Sequence, residues 1–133
     1  MRHWQLTAIF LILLVSYIIF ELKYSVSEQK ISPQQVINMY NHQQAVIIDI
    51  RSKEAYQQGH ILGALHVLPT ELANKLKKLQ KFSTKPVIIV CGIGRESPKF
   101  AQSLKKYGFE QVLLLLGGMQ AWQAADLPVI KQK

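Results

Sequence analysis

The chain has 133 residues, 49% of them hydrophobic and 18% charged, which is the size of one domain and too apolar for a disordered segment. A single cysteine, Cys91, excludes an intrachain disulfide and any zinc site built on several cysteines, so thiol chemistry here would proceed without a resolving partner in the chain. Sixteen Lys and Arg against eight Asp and Glu leave a formal charge of +8, which fits anionic lipid, small anions, nucleic acid or a solvated surface and by itself selects none of them.

The first element is apolar. Between Arg2 and Glu21 no side chain is acidic, Lys or Arg, and Leu6 to Phe20 is interrupted only by Thr7, Ser16 and the Tyr17 hydroxyl. At about 1.5 Å per residue this stretch spans roughly 27 Å, close to the roughly 30 Å hydrocarbon core of a bilayer. Trp4 at one end and Tyr17 and Tyr24 at the other suit the two interfaces. The stretch predicts a membrane anchor over residues 1–24. The competing reading is a cleaved signal peptide, with Ser25-Val26-Ser27 offering small residues for cleavage; against it, only Arg2 and the terminal amine supply a positive front end.

A polar connector over residues 25–30 leads to a domain of about a hundred residues, 31–133, enough for one hydrophobic core. Ser32-Pro33-Gln34-Gln35 places an N-cap, a proline at the first helical position and a Gln at the third, so a helix should run to about Tyr40. Three apolar runs follow, Ala45 to Ile48, Val87 to Val90 and Val112 to Leu116. None alternates polar with apolar, the pattern of strands covered on both faces of a parallel sheet. Helical patterns lie between and after them at Ser52 to Gln58, Thr70 to Leu79, Pro98 to Tyr107 and Met119 to Ala125. Strands alternating with helices predict an α/β domain with helices on both faces of the sheet.

Ligands of such sheets gather at the carboxyl ends of the strands. Cys91 stands there, followed by Gly92, Ile93, Gly94, Arg95 and Glu96, with Ser97 and Pro98 reading as N-cap and first residue of the next helix. Glycines let successive amides converge on one point, and the following helix directs its positive end to the same place. With a cysteine at the mouth, the anion such a nest stabilises is a thiolate. The alternative is a cysteine that merely packs as a small hydrophobe at a strand end.

At these residues the chain resembles the rhodanese-like family. The matching elements are Asp49-Ile50-Arg51, Tyr56, Gly59-His60-Ile61, Gly63-Ala64, Pro69, then Cys91, Gly94 and Ser97, then Leu104, Gly108-Phe109, Gly117-Gly118, Trp122 and Pro128. A membrane anchor ahead of one such module is similar to small bacterial inner-membrane members. The resemblance implies a rhodanese-like central five-stranded parallel sheet with helices on both faces. It implies sulfur transfer from thiosulfate or a similar anionic donor to a thiol or cyanide acceptor through a persulfide on Cys91, held by the amides of residues 92–97, with no cofactor. One departure stands out: family loops commonly carry a basic or small polar residue just before the serine, where this chain has Glu96, with Arg95 one position earlier. An inward Glu96 would oppose the thiolate and repel a dianionic donor; an outward one would do little. The rival reading is therefore a rhodanese fold kept as an interaction module at the membrane, in contact with a membrane-protein partner.

The remaining candidates read as structural or as solvated surface. Asp49 and Arg51 are expected to hold loops together at the pocket edge, with donor binding by Arg51 the alternative. Attack by a preformed thiolate needs no general base, so His60 reads as a hydrogen-bonded structural residue. His3, His42 and His66 lack ligand spacing, and no metal is expected. A phosphatase loop would need Arg six positions after the cysteine, where this chain has Ser97. Trp122 reads as core. Lys75, Lys77, Lys78, Lys81 and Lys85 read as a solvated helix face, with anionic headgroups as the next reading; no aromatic interleaving supports nucleic acid. A persistent thiol places the domain on the cytoplasmic side as an expectation.

Overall fold

The computed structural model of the chain describes residues 3–24, 29–92 and 96–131. Helix α1 (His3–Tyr24) contains a 20-residue stretch, His3–Leu22, of mean hydropathy 2.2, none of it buried against the rest of the protein. A helix apolar all round and left uncovered is long and apolar enough to cross a membrane.

The domain that follows is built on five parallel strands: β1 (Gln29–Ile31), β2 (Val46–Asp49), β3 (Leu65–His66), β4 (Val87–Val90) and β5 (Val112–Leu115), in the spatial order β1-β5-β4-β2-β3. Gln29 and Lys30, which composition assigns to a connector, are paired with Leu113 and Leu114 of β5. The domain therefore begins two residues earlier than expected, because an edge strand needs only backbone partners and can carry polar side chains.

The helices are α2 (Pro33–His42), α3 (Lys53–Gln58), α4 (Leu72–Leu79), α5 (Ser97–Lys106) and α6 (Gly118–Ala124), with 3-10 turns at Pro69–Glu71 and Gln80–Phe82. The expected start of α2 is present as a capping box: the Gln35 amide donates to Ser32 Oγ at 3.3 Å and the Ser32 amide to Gln35 Oε1 at 2.9 Å. The helix runs two residues beyond Tyr40, to His42.

Strand alternation decides which helix each side chain meets. Val87, Ile89 and Cys91 face one core with Ile48, Leu72, Leu79, Phe100, Ala101 and Leu104, the layer made by α4 and α5. Ile88 and Val90 face the other with Val36, Met119 and Trp122, the layer made by α2 and α6. Cys91 continues the period of β4 by one residue. Its side chain is thereby committed to the same face of the sheet as the first turns of α5.

Candidate active site

Cys91 follows the last residue of β4, the middle strand of the sheet. Its backbone is fixed from the far side by α6: the Met119 amide donates to the Cys91 carbonyl at 2.8 Å, and the Gln120 amide to the Gly92 carbonyl at 3.1 Å. This approach requires Gly118, which has φ +60°; a Cβ there would overlap the Cys91 carbonyl oxygen and lie 2.7 Å from that of Gly92. Gly117, with φ +74°, lets the chain turn from β5 into the helix.

The thiol is 4% exposed and lies within the apolar cluster of the α4 and α5 layer. The sequence places the cysteine at the mouth of a glycine loop; the alternation of β4 puts it in the apolar layer that also contains Phe100. Gly92 has no heavy atom within 4 Å of where a Cβ would stand. Ile93, Gly94 and Arg95 lie outside the described residues, so the convergence of loop amides expected there is not described.

Ser97 departs from its expected role. It is the first helical residue of α5 rather than the N-cap, a position taken by Glu96 without a side-chain capping bond. Ser97 is 1% exposed, and among the described residues its Oγ is a buried side-chain polar atom with no hydrogen-bond partner. A buried hydroxyl left unpaired costs about 1–3 kcal/mol. Glu96 is exposed and lines a groove of about 490 Å³ with Pro69, Leu72, Lys99, Phe100 and Ser103.

Asp49 and Arg51 form a closed pair. Asp49 is 1% exposed and is the last residue of β2 rather than the first after it. Arg51 donates from Nη2 to Asp49 Oδ2 at 2.8 Å, from Nε to Oδ1 at 3.0 Å, and from its own amide to Oδ1 at 3.0 Å. The same Nη2 donates to the Gly59 carbonyl at 2.6 Å. His66 Nε2 donates to the Arg51 carbonyl at 2.7 Å. The guanidinium thus ties the end of β2 to the turn after α3. His60 donates from Nδ1 to the Tyr56 carbonyl at 2.8 Å, its ring stacks on Tyr56 at 3.8 Å, and its backbone pairs with Ile130. Trp122 is buried and donates from Nε1 to the Pro128 carbonyl at 3.1 Å. The sequence marks Gly117-Gly118 as a pair following an apolar run at the carboxyl end of the sheet, but not its part as a clamp on the cysteine loop. Sequence reasoning did not draw from that position that a glycine at a strand end often marks close approach of another backbone.

Residues 32–125 match the sequence profile of the rhodanese-like domain. The uncharacterized protein YibN of Escherichia coli K12 is 34% identical over 134 aligned positions, which cover 99% of this chain and 94% of that protein. The thiosulfate sulfurtransferase GlpE of Coxiella burnetii is 33% identical over 96 positions, 72% of this chain and 88% of that protein. Among solved structures, a thiosulfate sulfurtransferase from Pseudomonas aeruginosa superposes with a TM-score of 0.71 at 25% identity, covering 79% of this chain and 20% of that one. A rhodanese-related protein from Thermoplasma volcanium shares the fold with a TM-score of 0.68 at 22% identity, over 77% of this chain and 97% of its own.

Proposed function

The chain belongs to the rhodanese-like domain family, and on that premise we propose that it is a sulfurtransferase that carries sulfane sulfur as a persulfide on Cys91. The observation that carries this reading is the buried Ser97 hydroxyl at the start of α5, the helix whose later turns pack in the same layer as Cys91. Cys91 shares one apolar layer with Phe100, Ala101 and Leu104 of α5, and at the start of that helix the Ser97 hydroxyl is buried with no hydrogen-bond partner among the described residues. A hydroxyl in that state suits an anion that arrives with the reaction.

In the first half-reaction the Cys91 thiolate attacks the outer sulfur of thiosulfate. A bond forms between Sγ and that sulfur as the sulfur–sulfur bond of the donor breaks, and its electron pair leaves with sulfite. One anion and one dianion become a persulfide anion and sulfite dianion, so charge and atoms balance. In the second half-reaction a thiolate or cyanide takes the outer sulfur and returns the thiolate of Cys91. No proton needs to move, so no general base is required, and the burden falls on donors that hold a singly charged persulfide. Ser97 Oγ and the amides of residues 92–97 would supply them. Arg51, with its fork occupied by Asp49 and Gly59, serves the scaffold rather than the donor. Helix α1 would anchor the domain at a bilayer, on the cytoplasmic side of a bacterial inner membrane, where a thiol stays reduced.

One observation favours a second reading, an interaction module at the membrane with little turnover: Cys91 is 4% exposed among apolar neighbours. Steady-state formation of thiocyanate from thiosulfate and cyanide separates the two. The enzyme reading requires the native full chain to exceed its Cys91→Ser variant by about a hundredfold or more, the scale of losing a covalent nucleophile. Equal rates would leave only the module.

A further inference from the structure

Charge is spread unevenly over the domain. Helices α2 (PQQVINMYNH) and α6 (GMQAWQA) contain no Asp, Glu, Lys or Arg, whereas the opposite layer holds most of the lysines. Within that layer the lysines gather at one end. Lys77 and Lys78 lie in the last turn of α4, Lys81 in the 3-10 turn after it, Lys85 just ahead of β4, and Lys106 in the last turn of α5.

Topology places all of these at the amino-terminal edge of the sheet. Helix α4 and the turn after it deliver the chain to the start of β4, and α5, which begins after the end of β4, delivers it to the start of β5. Hydrogen bonds from the Val46 amide to the Pro86 carbonyl and from the Glu110 amide to the Ser83 carbonyl tie these ends together. Lys81 and Lys85 hold their ammonium groups 5.0 and 5.7 Å from the centre of the Phe82 ring, which gathers both around one side chain. Lys75, by contrast, lies toward the start of α4 and is paired with Glu71 at 2.7 Å. Among the described residues, Glu110 is an acidic residue at the lysine-rich end, ahead of β5.

Strand β1 begins at the same edge, with Gln29 opposite Leu113 and Lys30 exposed beside it. The chain between Tyr24 of α1 and Gln29 of β1 is five Cα steps, which reach no more than about 18 Å. Lysines in a last helical turn offset the helix macrodipole, which accounts for Lys77, Lys78 and Lys106 one by one. It does not account for Lys81, Lys85 and Lys30 standing at the same end, where the anchor joins.

We propose that this lysine-bearing edge docks on anionic lipid headgroups of the leaflet from which α1 emerges, and so turns the Cys91 end of the sheet toward the aqueous phase. The proposal rests on α1 being a membrane anchor. The leash holds the domain within reach of the headgroups, and the lysines choose which end faces them. A parallel sheet with its reactive loop at the carboxyl edge then presents that loop to soluble donor and acceptor.

The test places the full chain in nanodiscs of phosphatidylcholine alone or with about a third phosphatidylglycerol and measures acetylation rate lysine by lysine by mass spectrometry. Lys77, Lys78, Lys81 and Lys106 should react about fivefold more slowly in the anionic discs, Lys53 and Lys99 should not change, and about 0.5 M salt should abolish the difference. In the triple variant Lys77→Gln, Lys78→Gln, Lys81→Gln, the rate at Lys106 should lose its dependence on lipid while thiocyanate formation is unchanged. Rates independent of lipid composition in the native chain would overturn the docking alone. Failure of the chain to float with neutral vesicles would overturn the anchor and the docking with it.

Discussion

The amide of Met119 donates a 2.8 Å hydrogen bond to the carbonyl of Cys91, so the first turn of α6 holds the cysteine loop from the side of the sheet away from the thiol. The loop is thereby pinned through its backbone, leaving the side chain to the α5 layer.

The pin depends on the absence of a side chain at residue 118. Gly118→Ala must either push α6 off the Cys91 and Gly92 carbonyls or strain a backbone already at φ +60°. Left-handed strain and lost contact together should cost about 2–4 kcal/mol, read as a fall in the urea midpoint, with persulfide formation reduced beyond the loss of folded protein. A variant of native stability would show that α6 does not need this approach.

Ser97 separates stability from function. Because Ser97 Oγ makes no hydrogen bond among the described residues, Ser97→Ala should leave thermal stability unchanged or slightly raised. If the hydroxyl serves the persulfide or the donor, kcat/KM for thiosulfate should fall about 10- to 100-fold, the value of one hydrogen bond to a charged group. A loss of stability with unchanged kcat/KM would assign Ser97 to the scaffold.

Arg51 should behave in the opposite way. Arg51→Ala leaves the Asp49 carboxylate, 1% exposed, with the backbone amide of residue 51 as its remaining described donor. Breaking a buried pair of this kind costs about 3–5 kcal/mol, read in denaturant unfolding. The KM for thiosulfate in the folded fraction should not change; a raised KM would return Arg51 to donor binding.

Tyr56 adds a pH dependence of known sign. Burial, and next the negative charge of Asp49, raise its phenol above the ordinary value near 10, and its hydroxyl donates to the Ala64 carbonyl at 2.8 Å. The folded protein therefore keeps this proton to higher pH than the unfolded chain. Its contribution is fully present below the unfolded value and is lost as pH rises through the folded one. Native protein should exceed Tyr56→Phe by about 1 kcal/mol at pH 8, and the gap should narrow above about pH 10. A gap that widens with pH would contradict the assignment.

What could be read in the sequence followed from hydrophobic period and cap chemistry. Val87 to Val90 forms β4 residue for residue, because four β-branched apolar residues in a row fit a strand covered on both faces. Ser32, Pro33 and Gln35 start α2 as their side-chain chemistry dictates. Strand β1, Gln-Lys-Ile, and strand β3, Leu-His, were not legible as strands, since edge strands this short carry no apolar run and are defined by backbone partners supplied from elsewhere. The cysteine's place at a strand end was legible, but the face it turns to was not; that depends on the register of β4 against its neighbours. Ser97 reads as a cap by residue type, and only the geometry of the turn makes it a helical residue with a buried hydroxyl.

The central claim is a sulfur atom held on Cys91. Intact-mass analysis of the full chain after exposure to thiosulfate, with Cys91→Ser as control, reads it directly. The account predicts that the native chain gains one sulfur atom, that cyanide removes it, and that the variant gains none. A native chain whose mass does not change at any donor concentration would contradict the account.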